Sequence, residues 1–502
     1  MPIGGLIDFG HDSPVRELRG DGATIACGDG TMIAASARLD NREELLRAFD
    51  LEADVPDTAI VARAFEKWRD AAPLHLLGDW AFAAWDPHAR SLFLARDHYG
   101  MTTLYYFRDA RKFAFGTSRK PLFAYVPPTL SRTGIQEYLA DAPGEATFHK
   151  DIFRLRPAHQ LTANRHSLRV TRYWEMENVP KVRLRSDGDY VERFLELYRA
   201  AVRTRLRSTR PIATTLSAGL DSSSVTALAA GELPKLRAYT STQRFPEIAG
   251  ILPNVITDEW PLANATAEWC GNVDHHAVSA NDITPLEAID RSLALHDEPV
   301  LLARHLPWSL SILKRCRDDG VGVLLVAHMG NGVGSWNGTR RLMRLRARTL
   351  RMRILLPLLH PFGSFWSEKG AGYDVEVRDP TTDVRLIEFC VGLPENQFAR
   401  RPHDRWLMRR AVEGLVPPAV QWNTIPGRQG ADIPLRLRAD AQNVTKAIEE
   451  IAKCAAAIEF LDLPRMRARW ASLQGELGPE SLEQAGELTR TLLVGRFLAR
   501  WF

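Results

Sequence analysis

The sequence predicts an α+β domain rich in antiparallel strands, then an α/β domain on a mostly parallel sheet with a helical C-terminal part. Short apolar runs alternate with turn signals from Met1 to about Ala124, and strands interleave with helical runs from Ile212 to Ala327. Alanine- and leucine-rich helical composition fills Leu435 to Phe460 and, after Leu461-Asp-Leu-Pro464, Ser481 to Phe502. At 502 residues the chain exceeds one ordinary core and divides into two domains with a helical extension.

The composition, 45% hydrophobic and 25% charged, is that of a soluble globular protein. Lysine plus arginine exceeds aspartate plus glutamate by 65 to 61, too even for wholesale binding of DNA or RNA. The five cysteines, Cys27, Cys270, Cys316, Cys390 and Cys454, form neither a metal-binding pair nor a disulfide ladder. With no signal segment and no apolar run that spans a bilayer, the expectation is a cytoplasmic protein without a transmembrane segment.

The first domain is expected over 1–125, its strands punctuated by Gly20-Asp-Gly22, Gly28-Asp-Gly30, Asp86-Pro87 and Asp97-His-Tyr-Gly100. Asn41 to Phe49 and Asp57 to Trp68 read as helices capped by Asn41 and Asp57. Residues 126–185, with Pro127-Pro128, a helix near Arg132 to Leu139 and a polar return through Pro157 to Trp174, read as the connection. The second domain, 186–502, opens with a helix over Gly188 to Leu206 that leads into the Pro211 strand. Leu236 to Thr240, Asn272 to Val278 and Val321 to Ala327 follow as strands, with a helix over Glu259 to Trp269. Parallel strands place the Ser217 loop and the His328 to Gly338 loop on one edge, beyond the carboxyl ends.

The stretch Pro211-Ile-Ala-Thr-Thr-Leu-Ser-Ala-Gly-Leu-Asp-Ser-Ser-Ser-Val225 changes from a β-favouring run to small residues and then to a helical run. Ser217, Ala218 and Gly219 can turn backbone amides toward an anion, while Leu220, Asp221, Ser222 and Ser223 open a helix with unpaired N–H groups. A carboxylate beside a phosphate calls for a divalent cation between them, which makes Asp221 a metal candidate. The same residues also fit an ordinary strand-to-helix turn capped by Asp or Ser. Asp258-Glu259 and His296-Asp-Glu-Pro299 read equally as helix capping, surface charge or site; Asp297 is the second metal candidate. His275-His276 lacks a third ligand and reads as packed or surface histidine.

Ser217-Ala-Gly-Leu-Asp-Ser-Ser223 closely resembles the Ser-Gly-Gly-Xxx-Asp-Ser loop of ATP pyrophosphatases of the asparagine-synthetase type, with Ala218 for the middle glycine. The resemblance implies an adenine-nucleotide alpha hydrolase-like fold, ATP and Mg2+, transfer of AMP to a carboxylate with release of pyrophosphate, and displacement of AMP by an amine. It further implies an adenine pocket near the start of Leu236 to Thr240. No Gly-Lys-Ser/Thr ending is present, which disfavours a Walker A loop. Ala37-Arg-Leu-Asp-Asn41, Leu77-Gly-Asp-Trp-Ala-Phe82, Ala95-Arg-Asp-His-Tyr-Gly100 and Leu104-Tyr-Tyr106 resemble, in order, the class II glutaminase domain of the same amidotransferases. A working member exposes a cysteine after the initiator methionine, whereas this sequence reads Met1-Pro-Ile-Gly-Gly5; a degenerate, structural glutaminase-like domain is expected.

Where asparagine synthetases carry an acidic pair, this sequence has Asn331-Gly332 within Ala327-His-Met-Gly-Asn-Gly-Val-Gly-Ser-Trp-Asn-Gly338. The Gly330-Asn331 to Ser335-Trp336 pattern resembles lasso peptide cyclases, which close a macrolactam between a peptide's N-terminal amine and an Asp or Glu side chain. That implies a precursor core peptide as substrate, with a leader peptidase and a leader-recognition protein as partners. An acceptor cavity is expected between the Gly330 loop and the helices after Arg378. Gly330 joins the nucleotide-binding candidates. Asn331, Glu388 and Arg428 are the catalytic candidates: Glu388 on a helix after Arg378-Asp-Pro-Thr-Thr-Asp383 to polarise the amine, Arg428 in Gly427-Arg-Gln-Gly-Ala-Asp432 to stabilise charge at phosphorus. Arg340 to Arg353, with seven arginines, reads as a solvated helix face, a peptide-binding surface or a nucleic-acid surface. A small-molecule amide or β-lactam synthetase is the alternative within the same chemistry, and a non-catalytic peptide-binding scaffold the alternative outside it.

Overall fold

The computed structural model describes residues 3–22, 24–141, 144–246, 254–335, 363 and 365–502. Two compact units emerge. One takes in Met1–Lys181 and Thr382–Gly392 with the described part of Arg348–Ser367, and the other Val182–Ala347, Glu368–Thr381 and Leu393–Phe502.

Among the described residues the first unit holds eleven strands: β1 (Gly4–Asp8), β2 (Val15–Arg19), β3 (Ile25–Ala26), β4 (Met32–Leu39), β5 (Gly78–Asp86), β6 (Ser91–Arg96), β7 (Tyr105–Arg108), β8 (Lys112–Gly116), β9 (Ile152–Arg154), β10 (His159–Ala163) and β11 (Leu168–Arg172). They form antiparallel sheets of order β2-β1-β8-β7-β9 and β11-β10-β6-β5-β4-β3. Period-two alternation in β5 shows why two sheets stack. Ala81, Ala83 and Trp85 meet Ile7, Phe113 and Phe115 of the other sheet, while Trp80, Phe82 and Ala84 face Ile60, Ala64 and Phe65 of helix Asp57–Trp68. The expected connection, 126–185, contributes β9, β10 and β11 to these sheets.

The Arg96-Asp97 turn is structural. Arg96 donates to the carbonyls of Gly100 and Leu155, and Asp97 accepts the amides of Tyr99, Met101 and Thr102. Asn41 and Asp57 do not cap their helices as expected. Asn41 instead accepts from the Leu77 amide and donates to the His75 carbonyl, and Asp57 accepts from the Leu39 amide and Arg42. Tertiary partners outbid the local ones.

The second unit is built on β12 (Ile212–Thr215), β13 (Leu236–Ser241), β14 (Val273–Val278), β15 (Val323–Leu325) and β16 (Glu376–Arg378). The order is β14-β13-β12-β15-β16 and every pairing is parallel. The lead-in helix Asp187–Arg205 starts at a capping box made by Ser186 and Asp189. Small residues let helix Trp260–Cys270 lie close on the sheet, where Ala263 and Ala267 pack on Leu216 and Ala238. Downstream, the expected helical run to Phe460 breaks into Ile433–Ala439, Ala441–Ile451 and Ala455–Phe460. Helix Ser481–Trp501 buries Leu488, Leu492, Val494, Phe497 and Leu498. Among the described residues no helix is long and apolar enough to cross a membrane.

Candidate active site

The strand order reverses at β12. The chain moves from β12 to β13 on one side and later returns with β15 on the other, the crevice where open α/β sheets bind ligands. Pairing of Thr214 with Leu325 sets the loops after both strands side by side, as expected. The adenine pocket expected near the start of Leu236–Thr240 does not share this edge. Tyr239 pairs with Thr215 in parallel, so Leu236 lies at the opposite edge from the Ser217 loop.

Gly219 occupies the N-cap position of helix Leu220–Ala230 and offers no side-chain cap. The serines shape the loop. Ser217 and Ser222 hydroxyls lie 2.7 Å apart, the Ser217 amide donates to Ser222 Oγ at 3.0 Å, the Gly219 amide donates to Ser217 Oγ at 3.2 Å, and Ser223 Oγ donates to the Ser217 carbonyl at 3.3 Å. Ala218 is not among the residues of positive φ, so its methyl group carries no conformational penalty there. A helix N-terminus of this kind is suited to a phosphate.

Asp221 lies in the first turn of that helix and is buried. Ser335 Oγ donates to its Oδ1 at 2.5 Å. Gly330 packs on the same carboxyl, and a Cβ there would stand 2.4 Å from Asp221 Cγ and Oδ1 and 2.5 Å from its Cβ. Burial raises the Asp221 carboxyl above its ordinary range, while the Arg405 guanidinium and the Ser335 hydroxyl act against the rise. No spacing pattern in the sequence marks Arg405 as a site residue. Its φ of 51° at the head of helix Trp406–Ala411 marks a conformation that only surrounding structure holds.

The Gly330–Gly332 turn is braced from below. Asp379 accepts the amides of His328 at 2.9 Å and Met329 at 3.2 Å, and the amide and hydroxyl of Thr381 at 2.8 and 2.6 Å. Burial nonetheless pushes the Asp379 carboxyl up to about 6. Asn331 is exposed on the turn. Trp336, Gly338 and the Arg340 to Arg353 segment lie outside the described residues.

Asp297, at φ 54°, closes helix Pro285–His296 and is buried beside the equally buried Glu298. Among the described residues no three His, Cys, Asp or Glu side chains form a metal-holding group. Glu388 belongs to the first unit, where Trp174 Nε1 donates to it at 2.9 Å and burial raises its carboxyl. The His275 and His276 side chains are packed, His275 against Thr240, Asn264 and the Trp260 ring, His276 against Asp274. Cys27 is buried, and desolvation together with Glu66 and Asp29 pushes its thiol up to about 11, far from a reactive thiolate.

Arg428 is exposed, but its loop is fixed: its amide donates to the Ile256 carbonyl at 2.9 Å beside an Ile256–Gly427 bridge. Glu259 secures the same loop, since a Cβ on Gly427 would stand 2.0 Å from Glu259 Oε1. Asp258, rather than Glu259, caps the following helix by accepting the Trp260 amide. Burial pushes the Glu259 carboxyl up to about 7, moderated by a hydrogen bond with Gln429. The unfolded chain ionises this group in the ordinary range, so from about pH 5 to 7.5 the folded state keeps a proton that the unfolded state has lost. Stability therefore falls as pH rises through that window. Glu259→Gln is expected to remove this slope, melting above the wild type near pH 8 and not near pH 5 in parallel thermal scans.

Comparison with known proteins agrees with this architecture. The glutamine amidotransferase domain family matches residues 40–174, and the asparagine synthase family matches 193–351 and 370–489, more than half of the chain. Asparagine synthetase [glutamine-hydrolyzing] 3 of Bacillus subtilis is 26% identical over 487 residues, covering 82% of this chain and 78% of its own. A putative asparagine synthetase [glutamine-hydrolyzing] 2 of Methanocaldococcus jannaschii is 24% identical over 53% of this chain and 52% of its own. Amidase chry2 of Gibberella zeae is 30% identical over 45% of this chain and 35% of its own. With a glutaminase-like unit followed by this parallel-sheet unit and its serine-rich anion loop, the chain belongs to the asparagine synthase family of ATP-dependent carbon–nitrogen ligases.

Proposed function

We propose that the protein is a lasso peptide macrolactam cyclase, which adenylates an Asp or Glu side chain of a core peptide and lets the peptide's own N-terminal amine displace AMP. The observation that carries this reading is the contact of Gly330 and Ser335 with Asp221, because it joins the cyclase-like pattern directly to the nucleotide loop. Asn331 and Gly332 replace an acidic pair on the exposed rim of that contact, a change suited to a different amine acceptor. In the first unit, the inert Cys27 thiol fits a domain kept for structure.

The helix N-terminus at Leu220 offers amides to the phosphates, and Asp221 offers one buried carboxylate, enough for an ion that completes its shell with phosphate oxygens and water. Mg2+, when bound there, would neutralise charge on the departing pyrophosphate. One carboxylate oxygen of the peptide attacks the α-phosphorus and pyrophosphate leaves. The uncharged amine then attacks the acyl carbon, AMP leaves with that oxygen, and the amine's proton passes to solvent or a nearby base. Arg405 holds positive charge close to Asp221 throughout. Amine and acid on one pre-folded peptide make the second step intramolecular, worth several kcal/mol at about the scale of measured effective molarities. A leader peptidase and a leader-recognition protein would supply the trimmed peptide.

Incubation with ATP, Mg2+ and a synthetic core peptide is expected to give a product one water lighter, with AMP and pyrophosphate in equal amounts. Pyrophosphate release with a small free acid and never with a peptide would sink the cyclase reading in favour of a small-molecule synthetase.

A further inference from the structure

Beyond β13, the second unit carries a small, partly open hollow whose lining includes Thr242, Gln243, Thr257, Arg304, Trp308 and Gln429. This lining differs from the expected acceptor cavity between the Gly330 loop and the helices after Arg378. Its floor is a built structure of buried, mutually neutralised charge. Asp432 accepts the Arg244 amide at 2.8 Å and pairs with Arg436 at 2.9 Å, and Arg436 in turn donates to the carbonyls of Ser279 at 2.6 Å and Ala280 at 2.7 Å. Loops after β13 and β14 are thereby tied to helix Ile433–Ala439.

Arg304 stands apart from this balance. Its Nε donates to His305 Nε2 at 3.1 Å, and among the described residues no carboxylate pairs with it. Burial, and after it the like charge of Arg428, presses Arg304 toward its neutral form, a pressure that a bound anion relieves. The backbone leading to it is held at φ 64° at Leu302, a conformation costly for a leucine. Hydroxyls, two carboxamides and an indole around one uncompensated guanidinium suit a single carboxylate borne on amide-rich backbone. A polyphosphate would meet Asp432 in the floor and has the helix N-terminus at Leu220 as its better site.

We propose that this hollow binds an acidic side chain of a peptide substrate, with Arg304 as the residue that recognises its carboxylate. The assignment rests on the amide-ligase reading and gives that ligase its peptide-side subsite. Titration calorimetry on the full chain tests it, with acetyl-Gly-Asp-Gly-amide, acetyl-Gly-Asn-Gly-amide and ATP as separate probes. The Asp peptide is expected to bind more tightly than the Asn peptide, and Arg304→Gln to weaken the Asp peptide about 10- to 100-fold while leaving the Asn peptide and ATP unchanged. Arg304→Lys should recover part of the loss. Thr242→Val, which leaves every charge in place, should weaken both peptides and keep their ratio. Equal binding of the two peptides by the wild type overturns the site, as does an Arg304→Gln variant that loses ATP instead, which would assign the hollow to the nucleotide. AMP formation in the same preparations separates the two claims: its presence without peptide discrimination overturns only this subsite, and its absence with every carboxylate tried overturns the ligase reading.

Discussion

Asp221→Ala is expected to cut ATP-dependent pyrophosphate release about 1,000-fold while leaving a folded protein. The two effects separate because the carboxyl is buried and burial disfavours its ionised form. Its removal leaves the Ser335 hydroxyl without that acceptor, at about 1 kcal/mol, and relieves a desolvated charge. A cation bound at Asp221 reverses the disfavour. Mg2+ with ATP should therefore raise the melting temperature of the wild type and not of Asp221→Ala, and removal of Mg2+ by chelation should abolish the wild-type gain. Loss of activity with an unchanged Mg2+-dependent shift would show that the ion is held elsewhere.

Gly330→Ala should match that loss of rate within about tenfold, without changing any charged or hydrogen-bonding group. The added methyl would lie within 2.5 Å of three Asp221 atoms including Cβ, so a small rotation of the carboxylate cannot clear it. Either the loop carrying Gly330 or the start of helix Leu220–Ala230 must move, and both are pinned. Asp379 holds the first through the His328 and Met329 amides, and the Ser217–Ser222 bonds hold the second. Steady-state pyrophosphate release with thermal melting as the folding control measures it. Wild-type turnover in a well-folded Gly330→Ala would mean that the contact with Asp221 has no part in catalysis.

Much of the fold was legible because local pattern and tertiary role coincide. The alternation Trp80, Phe82, Ala84 against Ala81, Ala83, Trp85 sorts β5 onto two cores, and strand-helix succession from Ile212 to Leu325 dictates a parallel sheet. Strands β9 to β11 leave little trace in the sequence because they are short and β11 lies half exposed at a sheet edge, where alternation carries little signal. The site divides similarly. Ser217 to Ser223 form one local turn whose chemistry is written in consecutive residues, and the Gly330 loop follows a buried strand, so both were expected on one edge. Arg405, Asp379 and Arg304 act through contacts made from elsewhere along the chain, and no spacing rule announces them. Glu388, a candidate by resemblance, accepts a hydrogen bond from Trp174 Nε1.

The central claim is that a carboxylate is activated as its adenylate at the Ser217 loop. A core peptide with an 18O-labelled Asp or Glu side chain, turned over with ATP and Mg2+, tests it most directly. One labelled oxygen should appear in AMP for each cyclised peptide, with none in pyrophosphate and no transfer by Asp221→Ala. Label in inorganic phosphate with ADP as the nucleotide product, or AMP without label, would contradict it.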